Sequence, residues 1–239
     1  MDNEIKGYYC KKKNELLNEF NETIDLMKKT QKHSEIITDS VKNELISEYE
    51  KIIPEIPYFK GYRQRMFNNM LLITAQVLAA YRVFKLYDKK PGEIWEICHA
   101  ALQLKLQKIP KVKKWIIKTA WNTVFRWVMM GRAKRNVKES LCNFELEYIK
   151  GNGGGFDYGI KYTQCGHHKF LKEQDAEEML PYICLTDIAL SETFGWGLIR
   201  TQTIGDGCRY CDFKFKKGSA TKITSMKPEV QKLIDELTS

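Results

Sequence analysis

Near Gly131 the sequence changes its hydrophobic period, and that change limits the fold more than any other feature. Upstream, apolar residues recur every three or four positions, the repeat of a helix with one buried stripe. Leu16, Leu17, Phe20, Ile24 and Met27 make one such stripe. Ile36, Ile37, Val41, Leu45, Ile46 and Tyr49 make another, so residues 10–53 read as two polar helices. Ser34 is only a partial N-cap signal for the second, because Ile37 rather than Glu stands three residues on. Pro54 and Pro57 then break the pattern. Tyr62 to about Tyr87 predicts a long helix, apolar on more than one side and therefore central. Glu93 to about Gln107 predicts another, ended by Pro110. Lys111 to about Met130 predicts the last of the set, apolar around most of its circumference and so expected to be buried.

Downstream the period shortens to two. Asn143–Lys150 and Phe156–Thr163 alternate apolar and polar residues, and Gly151–Gly155 between them suits the tip of a hairpin. Lys169–Leu180 predicts a short acidic helix, continued by Leu185–Leu190. Gly197–Ile204 and Tyr210–Lys216 predict two more strands joined at Gly205-Asp206-Gly207, and Pro228–Leu237 a terminal helix. The expected fold class is α+β: an N-terminal helical layer packed with a small antiparallel sheet in the C-terminal half. Residues 1–140 form the helical region and 141–239 the Cys-rich α+β region, within one compact domain.

A chain of 239 residues can bury roughly 70–75% of its unfolded surface, so its core needs neither disulfides nor a structural metal. The most apolar run, around Trp115–Met130, contains Lys118 and Arg126 and is too short to span a bilayer. Met1-Asp2-Asn3-Glu4 lacks the basic and apolar features of a secretory leader. A cytoplasmic location is the resulting expectation. The seven cysteines, at 10, 98, 142, 165, 184, 208 and 211, are odd in number, which fits reduced thiols.

The net charge of +9 is uneven: residues 61–150 hold 18 Lys and Arg against 6 Asp and Glu. Within it, Lys105–Lys138 carries eleven basic side chains with Trp115, Trp121 and Trp127 interleaved. Such a stretch can serve as a solvated basic face, meet an acidic partner or membrane surface, or bind single-stranded nucleic acid. The six-residue spacing of the tryptophans spreads them around the helix, and no nucleic-acid motif is visible, so the solvated face is preferred. Homo-oligomerisation is left open.

Four of the seven cysteines fall between 165 and 211. The segment runs Tyr162-Thr163-Gln164-Cys165-Gly166-His167-His168, then Cys184-Leu185-Thr186-Asp187, then Arg200-Thr201-Gln202-Thr203-Ile204-Gly205-Asp206-Gly207-Cys208-Arg209-Tyr210-Cys211-Asp212-Phe213. A strand ending in Cys, a short helix, Cys-x-x-Asp, a Thr-rich strand, a glycine turn and a Cys-Asp-Phe strand, in that order, resemble the L-2-amino-thiazoline-4-carboxylic acid hydrolase family. Ile56-Pro57-Tyr58-Phe59-Lys60-Gly61 before a long helix is also similar to that family. The resemblance implies opening of a cyclic amidine to N-carbamoyl-cysteine, with Cys165, Cys184, Asp187, Thr203, Gly207, Cys211 and Asp212 at motif positions. Cys208 is an additional thiol in the glycine turn.

The residue types suit such a hydrolysis, read as cleavage of a C–N bond. Cys184 or Cys165 would attack as thiolate, His167 would exchange protons, and Asp187 would bind the amidinium or orient the histidine. Arg200 would hold a substrate carboxylate, with Thr203, Cys208, Cys211 and Asp212 lining the pocket. A second route uses zinc or another divalent metal, drawing ligands from Cys208-x-x-Cys211, Cys165, His167, His168 and Cys184. Against these stand bland readings: a buried thiol as a small hydrophobe, and Asp212 closing a turn by accepting backbone hydrogen bonds. A different class of function is a non-catalytic small-molecule or metal-binding sensor, similar to vinyl-reductase-associated domains.

Overall fold

The computed structural model describes residues 5–30 and 35–238, so Ser34 and its capping signal lie outside the described residues. The chain divides into two compact units. Unit 1 comprises Met1–Leu106 and Gly166–Ile183; unit 2 comprises Gln107–Cys165 and Cys184–Ser239. The chain thus leaves unit 2 after Cys165 and returns to it at Cys184.

Unit 1 is helical. Helices α1 (Lys13–Lys28), α2 (Asp39–Ile52) and α3 (Arg65–Lys85) bury the stripes read from the sequence, with Phe20, Ile24, Leu45, Tyr49, Leu71, Leu78 and Phe84 inaccessible to solvent. Thr38, in extended conformation, caps α2 by accepting from Val41 N at 3.3 Å. Before α3 the chain runs extended through Phe59, whose N–H donates to Asn68 Oδ1 (3.0 Å) and whose carbonyl accepts from Asn68 Nδ2 (2.8 Å). This side chain satisfies both backbone groups of Phe59, while the Tyr58 carbonyl accepts from Ile5 N at 2.8 Å. α4 (Pro91–Gln107) places Trp95 and His99 one turn apart, their rings stacked at 4.4 Å. α7 (Gly166–Glu173) packs on α3, and α8 (Leu180–Ile183) follows a break at Asp175, a non-glycine residue at φ 53°.

Unit 2 is built on a six-stranded sheet of order β1-β2-β3-β5-β4-β6. Its strands are β1 (Lys138–Leu141), β2 (Phe144–Lys150), β3 (Tyr158–Gln164), β4 (Leu198–Arg200), β5 (Cys211–Phe215) and β6 (Lys222–Ile223). All pairings are antiparallel except β4 with β6. β2 and β3 form the expected hairpin. The fold is therefore α+β, with the sheet in the C-terminal half. The terminal helix is α10 (Pro228–Thr238).

One helix departs from expectation. α5 (Lys111–Ala120) runs through a π-helical stretch, Trp121–Phe125, into α6 (Arg126–Lys134). One face packs on the sheet: Trp121 stacks on Trp196 at 4.7 Å, Met129 is buried, and Arg126 pairs with Asp157. The other face is open. No residue of α5 is buried, and Val112, Trp115, Ile116, Val124 and Trp127 are exposed, so this is not the buried core helix its apolar content suggests. An all-round apolar helix was expected to be enclosed. Here the sheet covers one side only.

A candidate active site on unit 2

The candidate residues of unit 2 converge through two short elements, α9 (Thr186–Phe194) and the β4–β5 connection. Cys184 lies two residues before α9, and Asp187 occupies its first turn, where a carboxylate is favoured by the helix dipole. Arg200 ends β4 and is 2% exposed. Its Nη1 donates to the Cys184 carbonyl at 3.1 Å and pairs with Asp187 Oδ2, while its guanidinium carbon stands 5.4 Å from the Phe213 ring centre. Its Nε is buried without a hydrogen-bond partner.

The 201–210 loop is held by two acids. Asp212 Oδ1 accepts from Thr201 N and Gln202 N, both at 2.8 Å, and Oδ2 accepts from Thr201 Oγ1 (2.7 Å) and Lys214 Nζ (2.8 Å). These donors hold its carboxyl below the usual carboxylate value, against the opposing effect of burial. Thr203 Oγ1 accepts from Asp206 N (3.0 Å) at the start of a 3₁₀ turn that Gly207 closes at φ 88°. Cys211 Sγ accepts from Ile204 N at 3.2 Å, which fixes the same loop from beneath. Asp212 and Thr203 thus order the 201–210 loop by holding backbone.

Thiol chemistry follows from burial. Cys184 is partly exposed, and Cys211 is buried. Burial pushes the Cys184 thiol far above its ordinary value, opposed by Arg200. It pushes Cys211 up to about 12. Asp187 is also raised by burial, opposed by Arg200, although 20% of its side chain remains exposed. Desolvation pushes the hydroxyl of the half-buried Tyr162 up as well, and Tyr162 stands opposite Cys211 in the β3–β5 register. Tyr162 is the neighbour that motif reading missed. Its signal, alternation along β3, is indistinguishable from that of a core residue.

Two further candidates have partners of their own. Cys208 turns its Sγ to Met226 Sδ at 3.4 Å. His167 belongs to unit 1, where its Nδ1 shares a 2.6 Å hydrogen bond with Thr74 Oγ1 and burial pulls its pKa down to about 4. His168 pairs with Glu177 at 2.9 Å in the same unit. Cys208 and Cys211 have separate partners, and no three His, Cys, Asp or Glu among the described residues lie where they could hold a metal ion. The ligand set suggested for zinc is not assembled there.

The family model for L-2-amino-thiazoline-4-carboxylic acid hydrolase matches residues 71–215, from the middle of α3 to the end of β5. The chain belongs to this family. The match contains all nine candidate site residues. No curated protein and no solved structure matches the chain. Among the described residues no helix is long and apolar enough to cross a membrane.

Proposed function

We propose that the protein opens a small cyclic amidine bearing a carboxylate, of the 2-amino-thiazoline-4-carboxylate type, at the Cys184–Asp187–Arg200 group. The observation that supports this most is the Arg200–Asp187 pair beside a partly exposed thiol, with Arg200 Nε unpartnered. Such a substrate is a zwitterion: its carboxylate matches the guanidinium and its amidinium matches the carboxylate of the same pair. Exchanging one ion pair for two keeps every buried charge compensated, which a neutral or singly charged ligand does not.

The chemistry can then be balanced. The Cys184 sulfur adds to the carbon between the two nitrogens as its proton passes to Asp187, whose burial has raised its basicity. The carbon–sulfur bond of the ring breaks, and the ring sulfur leaves with that proton. Water adds to the resulting isothiouronium and gives a proton to Asp187. The Cys184 sulfur leaves with it, and the amidinium proton is released. The N-carbamoyl product keeps both nitrogens on the attacked carbon. Ring opening to this product therefore cleaves C–S, not the C–N bond first inferred from the residue types.

Incubation of the protein with 2-amino-thiazoline-4-carboxylate, followed by mass spectrometry, tests the reading. N-carbamoyl-cysteine should form. An adduct on the peptide containing Cys184 should accumulate at early times, and both signals should vanish in Cys184→Ser. Turnover that persists in Cys184→Ser would remove the thiol and leave Asp187-assisted water. Tight binding without turnover would leave the sensor reading.

A further inference from the structure

The charge of the protein is confined to one unit. Unit 1 has 19 Lys and Arg against 19 Asp and Glu, whereas unit 2 has 20 against 11 and so carries the whole excess of +9. The strongest concentration is the α5–α6 helix, with eight Lys and Arg and no acidic residue from 111 to 135. Lys111, Lys113, Lys118, Lys134 and Arg135 are exposed and make no ion pair among the described residues.

On the open face of the same helix lies a row of large apolar side chains. Val112 is 69% exposed, Trp115 66%, Val124 68% and Trp127 77%. Trp115, Thr119, Thr123 and Trp127 recur at intervals of four, as do Val112, Ile116 and Val124 with Ala120 between them. An interval of four drifts around a regular α-helix of 3.6 residues per turn. The π-helical stretch Trp121–Phe125 has a longer turn and takes up that drift, so Val124 and Trp127 stay in line with Val112 and Trp115. The inward face benefits equally, since Trp121, Phe125 and Met129 stay directed at the sheet. Beside the row, Trp115, Lys118, Thr119 and Lys217 line a groove of about 600 Å³.

We propose that the α5–α6 face docks on an anionic membrane surface. The helix would lie in the interface plane, with Trp115 and Trp127 at headgroup depth. The flanking lysines would face lipid phosphates, one of which the Lys118–Lys217 groove can accept. The charge decides against a second copy as occupant: apposing two such faces, each flanked by the unpaired Lys111, Lys113, Lys118, Lys134 and Arg135, is repulsive. The tryptophans and valines decide against nucleic acid, which would need aromatic faces presented with polar surroundings rather than an aliphatic row. An apolar row rimmed by cations, on a helix unable to span, is the composition of an interfacial helix.

Co-sedimentation of the whole protein with vesicles tests this. The protein should pellet with vesicles containing phosphatidylglycerol and stay in solution with phosphatidylcholine alone. Raising salt from about 0.1 to 0.5 M should weaken binding about tenfold or more, because exposed charges are screened. Trp115→Ser with Trp127→Ser should abolish pelleting, and Lys111→Glu with Lys113→Glu should abolish the preference for anionic lipid. Neither pair should change circular dichroism or turnover of free substrate. Failure to pellet with anionic vesicles overturns the proposal, whether the protein instead dimerises through this face, binds single-stranded DNA, or is saturated by soluble glycerol phosphate.

Discussion

Arg200 and Asp187 define the residue scale. A guanidinium at 2% exposure whose charge is balanced by one carboxylate is energetically exposed to any change in that carboxylate. Removing one member of a buried pair leaves the other uncompensated, a loss of about 3–5 kcal/mol, whereas replacing both by apolar groups is often near neutral. Asp187→Asn and Arg200→Met should therefore each lower unfolding free energy by about that amount, and Asp187→Leu with Arg200→Met by much less. Urea denaturation of the four proteins measures the coupling; additive losses would show that the pair is not a unit. None of this pairing was legible in the sequence. Cys184-x-x-Asp187 and Arg200 were each recognisable as chemically apt, but they are 13 positions apart in chain order and only the fold opposes them. His167 shows the same limit: it follows Cys165 by two residues in sequence, and only the fold gives it Thr74 of unit 1 as a partner.

At the scale of elements, hydrophobic period located most helices and the four inner strands, because burial imposes it directly. It missed β1, whose sequence Lys-Glu-Ser-Leu contains one apolar residue, and β6, which is two residues long. Both are edge strands, held by ladder hydrogen bonds that leave no side-chain pattern. It also could not tell which side of α5 the sheet would cover. The β4–β5 connection shows how a segment without period is ordered. Asp212 gathers four donors from Thr201, Gln202 and Lys214, and so acts as the clamp that the bland reading of this residue describes. Asp212→Ala should strip those donors of their partner at a cost of about 3 kcal/mol. It should also raise KM by loosening Thr203 and the turn behind it, while Asp212→Asn keeps part of the clamp and loses less. Thermal unfolding together with steady-state kinetics checks this; an unchanged KM in Asp212→Ala would mean the loop does not shape the pocket.

For the molecule as a whole, the two units should respond differently to acid. All four histidines lie in unit 1. Burial pulls His99 down to about 4, and both its ring nitrogens lack hydrogen-bond partners. His167 is pulled the same way but keeps part of its surface exposed, so its contribution is the smaller. A histidine held neutral by burial contributes stability that is complete above its ordinary value of about 6.5 and is lost as pH falls through 4, because the unfolded chain takes up the proton first. For His99 the loss approaches about 3 kcal/mol across that window. Unit 2 holds no histidine, and its two raised carboxyls, Asp187 and the exposed Glu192, do not add a loss of this kind. Asp212, whose value is lowered, withdraws its support only below the ordinary carboxylate value, outside this window. Hydrogen-exchange protection, corrected for the intrinsic pH dependence of exchange, should therefore fall in α3 and α4 between pH 7 and 4.5 while β2, β3 and β5 keep theirs. His99→Leu should flatten the response in unit 1. A loss that began in the sheet, or one that survived His99→Leu undiminished, would place the acid-sensitive group elsewhere.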